Sequence, residues 1–137
     1  MQKLIAGLLI AGAIFKTDPV LVTRVTDGDT IAVQSIGRVS LLGIEARSDR
    51  ARERLESLVA LRWVRLEFES SADGRTNRHR AYVLLDTGEF VNATLVREGL
   101  ARVARGRFAR RGELERAEAD ARRYRRGIWA RYTATRL

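Results

Sequence analysis

The chain has no cysteine, one histidine and one proline. The absence of cysteine excludes disulfide bonds and thiolate metal sites, and a lone His79 argues against a histidine-based zinc site. No stretch rich in serine, glycine and proline is long enough to act as a linker, and no internal repeat of solenoid length is found. The 137 residues therefore have room for one domain with one modest core.

Positive charge is concentrated in the last third of the chain, within a formal net charge of +9. Residues 17–96 carry 11 arginines against 12 acidic residues, or −1, whereas residues 97–137 carry 13 arginines against 5 acidic residues, or +8. Such a basic segment predicts a polyanionic partner, either nucleic acid or an anionic membrane. Every basic residue after Lys16 is arginine, so the alternative is a solvated helix from an arginine-biased genome.

The first sixteen residues have the form of an export signal or membrane anchor. Lys3 precedes twelve uncharged, mostly apolar residues, from Leu4 to Phe15, a run shorter than the roughly 20 residues that span a bilayer. The small residues of a cleavage motif, Ala11 and Ala13, lie inside this run, so an uncleaved anchor and a packed apolar element stay as alternatives. We predict a signal-like or anchor segment over 1–16 and a single domain over 17–137, secreted, periplasmic or membrane-anchored at the cell envelope.

A pattern rich in β-branched residues begins at Val20 and predicts five strands, over 20–25, 30–36, 38–44, 63–68 and 80–85. Helices are predicted over 49–61, over 93–98 with Asn92 as the cap, and over 111–126. The core should draw on Val22, Ile31, Val33, Leu41, Leu66, Val83 and Leu85. The tryptophans Trp63 and Trp129 are expected to be packing residues. This order predicts a mainly β, α+β protein: a five-stranded OB-fold barrel with C-terminal helices.

Four strings resemble the staphylococcal nuclease, or thermonuclease, family in order and spacing. They are Val25-Thr-Asp-Gly-Asp-Thr-Ile31, Val39-Ser-Leu-Leu-Gly-Ile-Glu-Ala46, Arg78-His-Arg-Ala-Tyr-Val83 and Phe90-Val-Asn-Ala-Thr-Leu-Val-Arg-Glu-Gly-Leu-Ala-Arg-Val103. The resemblance runs from about Val20 to Trp129. It implies the family's version of the OB-fold and a Ca²⁺-dependent hydrolysis of DNA and RNA phosphodiesters.

The resemblance also implies roles for individual residues. Asp29, Glu45 and the carbonyl of Ala46 match the ligands of a Ca²⁺ ion, and Arg78 matches a catalytic arginine that holds the phosphoryl oxygens. Ser40 stands in place of the other arginine, and Ser48 in place of the proposed general base. Arg38 and Asp49 are the neighbours that could substitute. Thr76, Arg105 and Arg107 stand in place of the tyrosines that pack on the nucleotide.

We therefore expect a nucleic-acid-binding domain whose hydrolysis is weak or lost and whose Ca²⁺ binding is weak. Single-stranded DNA or RNA is the expected partner, and the expected contacts are five arginines: Arg75, Arg105, Arg107, Arg110 and Arg111. One alternative is an active metal-dependent nuclease with rearranged catalytic residues. Another is a non-enzymatic module of an envelope-associated assembly, held at the membrane through residues 1–16. The oligomeric state is not predicted.

Overall fold

The structure is a computed structural model that describes residues 14–70, 73 and 75–130. Its strands are β1 (Ile14–Lys16), β2 (Val20–Asp27), β3 (Thr30–Val33), β4 (Gly37–Leu41), β5 (Ile44–Glu45), β6 (Trp63–Glu69), β7 (Arg80–Leu84) and β8 (Arg102–Val103). Its helices are α1 (Asp49–Val59), α2 (Val91–Arg97) and α3 (Arg111–Arg123). Of the signal-like or anchor segment predicted over residues 1–16, residues 1–13 with the cleavage motif lie outside the described residues, and residues 14–16 form β1.

Five of the strands close into a barrel, in the order β6-β2-β3-β4-β7 and back to β6. The β2–β3 and β3–β4 neighbours are antiparallel, whereas β4 runs parallel to β7, with Ser40 opposite Arg80. Strand β1 pairs with the second half of β6, and Thr17 N donates to Leu66 O, so the chain from β1 into β2 follows β6 along its length. The predicted α+β barrel with five strands is confirmed.

The seven residues predicted for the core are all buried. Helix α1 packs on β2, and α2 packs against both β7 and α3, so the helices form a layer beside the barrel. In α1 the buried residues are Ala51, Leu55, Leu58 and Val59, the stripe expected of an amphipathic helix. No helix among the described residues has the length and apolarity needed to cross a membrane.

The predicted strand over 38–44 is wrong as a single element. Gly43 adopts φ +86°, and a Cβ at this position would lie 2.7 Å from Leu114 and 2.8 Å from Phe108. The chain turns there because only glycine allows both the left-handed backbone and the close approach of the Phe108 and Leu114 side chains. Strand β4 therefore ends at Leu41, and the separate strand β5 pairs with β8 instead.

Asn92 was predicted to cap α2, but it lies inside the helix and is fully buried. Its Oδ1 accepts a hydrogen bond from Val83 N at 2.9 Å, and its Nδ2 donates to Leu42 O at 2.9 Å. Asn92 thus joins α2 to β7 and to the chain after β4. The prediction that Trp63 is a packing residue is also wrong, because its side chain is 59% exposed.

Candidate nucleic-acid site

The turn between β2 and β3 brings Asp29 against the segment that follows β5. Asp29 Oδ2 accepts a hydrogen bond from Ala46 N at 2.9 Å, and Oδ1 accepts one from the Thr30 hydroxyl at 3.1 Å. Gly28 makes this approach possible, since a Cβ there would lie 2.6 Å from Ala46 O. The predicted metal residues Asp29, Glu45 and Ala46 are thus neighbours in space.

These residues fit a tight calcium site poorly. Ca²⁺ takes six to eight oxygen ligands, whereas this region offers two carboxylates and one carbonyl, and each oxygen of Asp29 also accepts a hydrogen bond. Glu45 is exposed at the end of β5. Within the described ranges, no three histidine, cysteine, aspartate or glutamate residues are grouped so that they could hold a metal ion.

The two serines at the altered catalytic positions have different surroundings. Ser40 is half-buried opposite Thr30, and its neighbour Leu41 donates its N–H to Asp29 O at 2.7 Å. Ser40 therefore lies beside the Asp29 turn. Ser48 caps α1, since its Oγ accepts the Ala51 N–H at 3.1 Å. Its hydroxyl has a structural task that the sequence reading did not foresee, although serine before a helical pattern is the usual signal for one.

Arg38 and Asp49 are the two residues that could substitute at the altered catalytic positions. Arg38 lies away from the Asp29 turn, and Asp49 is solvated. Arg38 is exposed opposite Ala32, two residues before Ser40 and so about 7 Å further along the strand. Asp49 begins α1 with its side chain 90% exposed, 4.0 Å from Arg52 Nε. Within the described part of the chain, neither residue makes a hydrogen bond or an ion pair with Asp29 or Glu45.

Arg78 is exposed just before β7. It lines a cleft of about 200 Å³ together with Phe15, Lys16, Thr17, Ile36, Phe68 and Thr76. Two cations, Lys16 and Arg78, thus border the same cleft. Arg75 is also exposed in the preceding loop, and its Nε lies 3.6 Å from Asp73 Oδ2. Sequence reasoning missed Lys16 because 62 residues separate it from Arg78.

The loop over residues 104–107 is fixed to the body of the protein. Ala104 N donates to Gly43 O at 2.8 Å, and Arg111 Nη1 donates to both Ala104 O and Gly106 O at 2.8 Å. Arg105 and Arg107 are exposed on this loop. Arg111 is therefore a residue that supports the loop, and it also lies 5.3 Å from the Phe108 ring and 3.4 Å from Glu115.

Arg110 is held by intramolecular contacts instead of facing solvent freely. Its Nε and Nη2 donate to Glu67 Oε1 at 3.1 and 2.7 Å, and its Nη1 donates to Glu113 at 2.7 Å. The guanidinium also lies over the rings of Tyr82 and Phe90. Because Glu67 is only 2% exposed, this pair fastens the start of α3 to the barrel. Arg110 therefore has a structural role that the sequence did not indicate, while its contact with nucleic acid stays a prediction.

Arg102 is an exposed cation that the sequence reading did not single out. It lies opposite Glu45 in the β5–β8 pair. Its guanidinium lies 5.2 Å from the Trp129 ring, and that of Arg122 lies 4.3 Å from the same ring. Trp129 therefore packs with arginines at the end of the α3 layer. No sequence signal could have placed Arg102 beside Glu45, because the pairing joins strands 57 residues apart.

A family described as staphylococcal nuclease homologue matches residues 38–131. This range begins in β4 and covers more than half of the chain, including the positions of Glu45, Arg78 and the 104–107 loop. No match was found among curated proteins.

Proposed function

Because the chain belongs to the staphylococcal nuclease family, we propose that it binds single-stranded nucleic acid through the 104–107 loop, with little or no phosphodiester hydrolysis. The observation that carries this proposal is a rigidly supported loop with two exposed arginines, Arg105 and Arg107. A supported loop loses little conformational entropy when its side chains contact phosphates. Arginine can also stack its planar guanidinium on bases.

The proposed contact set also includes exposed cations outside the loop. Arg102 is exposed beside Glu45, and its chain continues directly into the loop. Arg75 is exposed near the cleft bordered by Lys16 and Arg78. Arg110 and Arg111 are left out of the contact set because their side chains already hold protein atoms.

The proposal of weak hydrolysis depends on the two serines. A serine at position 48 cannot serve as a carboxylate base, and its hydroxyl accepts the Ala51 N–H. Loss of a general base costs about 10²–10⁴ in rate, and loss of one oxyanion-type donor about 10²–10³. The two losses need not multiply. The poor fit of the Asp29 region to a tight calcium site points in the same direction.

The binding test measures fluorescence anisotropy of a labelled single-stranded oligonucleotide over a range of salt concentrations. The double variant R105Q/R107Q should weaken binding and reduce the steepness of log K against log salt by about 1.4, at roughly 0.7 per lost phosphate contact. R62Q/R65Q is the matched control, because it removes the same charge from two exposed positions. These positions lie beside the start of β2, the end of that strand opposite the Asp29 turn. Equal losses for both variants would show a non-local charge effect and would overturn the assignment of the loop.

The hydrolysis test incubates the full chain with denatured DNA in Ca²⁺, Mg²⁺ and EDTA arms, beside an active staphylococcal nuclease as reference. The expected result is release of nucleotides far below the reference in every arm. A rate similar to the reference would contradict the interpretation of Ser40 and Ser48. R38A and D49A would then show which neighbour had taken over the chemistry.

A further inference from the structure

Exposed apolar side chains gather between α1 and β6. Leu61 is 74% exposed and Trp63 is 59% exposed, and they are two of the four large hydrophobic residues exposed in the described part of the chain. Together with Pro19, Val64 and Leu85 they line a groove of about 530 Å³, which we call the Leu61 groove. Its charged lining consists of Arg62, Arg65 and Asp86.

The backbone at Leu61 is unfavourable for a leucine. Its φ is +58°, a left-handed conformation that glycine or asparagine adopts more readily. The conformation is fixed on both sides, since Leu61 N donates to Val22 O at 2.9 Å and Arg62 N donates to Val59 O at 3.0 Å. The leucine is therefore unfavourable for the backbone, and its side chain is not stabilised by burial in the core. Such a residue points to a contact outside the chain.

The Leu61 groove lies away from the candidate nucleic-acid site. Trp63 is paired with Leu21 at the start of β2, whereas the Asp29 turn follows Asp27 at the end of that strand. Six residues of extended chain separate Leu21 from Asp27, which corresponds to about 20 Å. The groove thus lies away from the Asp29 turn, and its lining shares no residue with the 104–107 loop, so the inference does not rest on the proposed function.

We propose that the Leu61 groove docks on an anionic phospholipid surface. Tryptophan favours the boundary between headgroups and acyl chains, and an exposed leucine can insert beside it. Arg62 and Arg65 supply positive charge for the headgroups, against the single carboxylate of Asp86 in the lining. A second copy of the chain would bring these arginines together, and the lining offers bases one aromatic ring, that of Trp63, whereas single-strand sites stack successive bases on several rings.

The first test measures co-sedimentation of the full chain with phosphatidylcholine vesicles, with and without phosphatidylglycerol. L61N should lower partitioning by about tenfold, because it removes the apolar side chain. It should leave folding intact, since asparagine tolerates the left-handed backbone. R62Q/R65Q should lower partitioning by about fivefold per charge on anionic vesicles alone. Y124S is the matched control, an exposed aromatic beside Arg123 and Arg126, and should bind like the unmodified chain.

The second test follows Trp63 fluorescence in a W129F background, which leaves one of the two tryptophans. Anionic vesicles should shift the Trp63 emission to shorter wavelength. Unchanged emission, together with undiminished partitioning of L61N, would overturn the proposal and assign vesicle binding to another segment. An emission change with a single-stranded oligonucleotide in place of vesicles would identify a nucleic-acid surface. Self-association that L61N abolishes would identify a second copy as the occupant.

Discussion

Replacement of Arg110 by alanine should destabilise the protein more than any surface charge change. The guanidinium makes two hydrogen bonds to the buried Glu67 carboxylate and one to Glu113. Lys16 Nζ is the other cation near Glu67, at 4.0 Å. In R110A the Glu67 carboxylate, in a residue that is 2% exposed, would lose both hydrogen bonds from the guanidinium and keep this one distant partner.

The expected loss follows from the burial of the pair. Removal of one member of a buried ion pair costs about 3–5 kcal/mol. The Arg110 side chain is 24% exposed, and Lys16 partly compensates Glu67, so we expect about 3 kcal/mol. Loss of the contacts with the Tyr82 and Phe90 rings would add about 0.5–1 kcal/mol each. By contrast, the exposed Arg52–Glu56 pair on α1 should contribute about 0.3–0.5 kcal/mol.

The assay is urea unfolding at neutral pH, followed by far-UV circular dichroism. The total expected loss is about 4–5 kcal/mol, so with a slope near 2 kcal/mol/M R110A should lower the midpoint by roughly 2–2.5 M without a change of slope, and R52A by less than about 0.3 M. R110M/E67L should recover much of the loss, because an apolar pair leaves no unpaired charge. Equal midpoints for R110A and R52A would refute the structural role of Arg110.

Three further predictions test the packing around the site. Burial, followed by the hydrogen bond to Glu69, raises the pKa of Tyr82 above its usual value; the folded state keeps this proton while the unfolded state loses it near pH 10. Stability should therefore fall as the pH rises past about 10, and Y82F should flatten that decline in urea titrations. N92A should cost about 3 kcal/mol in the same assay, because it leaves buried backbone groups without partners, and an unchanged midpoint would contradict this. S48A should cost about 1 kcal/mol through loss of the cap, whereas S48D should keep it.

The barrel could be predicted because its signals are local. Val22, Ile31 and Val33 alternate with less buried residues in β2 and β3, and each is buried as the pattern requires. The break at Gly43 could not be predicted in the same way. It depends on Phe108 and Leu114, which lie more than sixty residues further along the chain. Asn92 carries a helix-cap signal in sequence, and only its distance to β7 shows that it satisfies backbone groups of another element.

The candidate site could also be predicted only in part, because some of its contacts join residues far apart in the sequence. Proximity of Asp29 to Glu45 and Ala46 follows from the resemblance, and the hydrogen bond between Asp29 and Ala46 N accords with it. The function of residues 97–137, which we call the basic tail, does not follow from their net charge of +8. A count of arginines treats Arg105, Arg107, Arg110 and Arg111 as equivalent, because the count contains no information about Glu67, more than forty residues earlier.

The basic tail therefore contains arginines with two kinds of task. Arg110 neutralises a buried carboxylate of the barrel, and Arg111 holds two carbonyl oxygens of the 104–107 loop. Arg105 and Arg107 remain exposed on the loop that these contacts position. Nucleic-acid affinity should then depend on Arg111 indirectly, since its loss would release the loop and increase the entropy cost of binding. In the proposed function, the net charge of residues 97–137 provides long-range attraction to nucleic acid, while ion pairs inside the protein determine which arginines are available for contact.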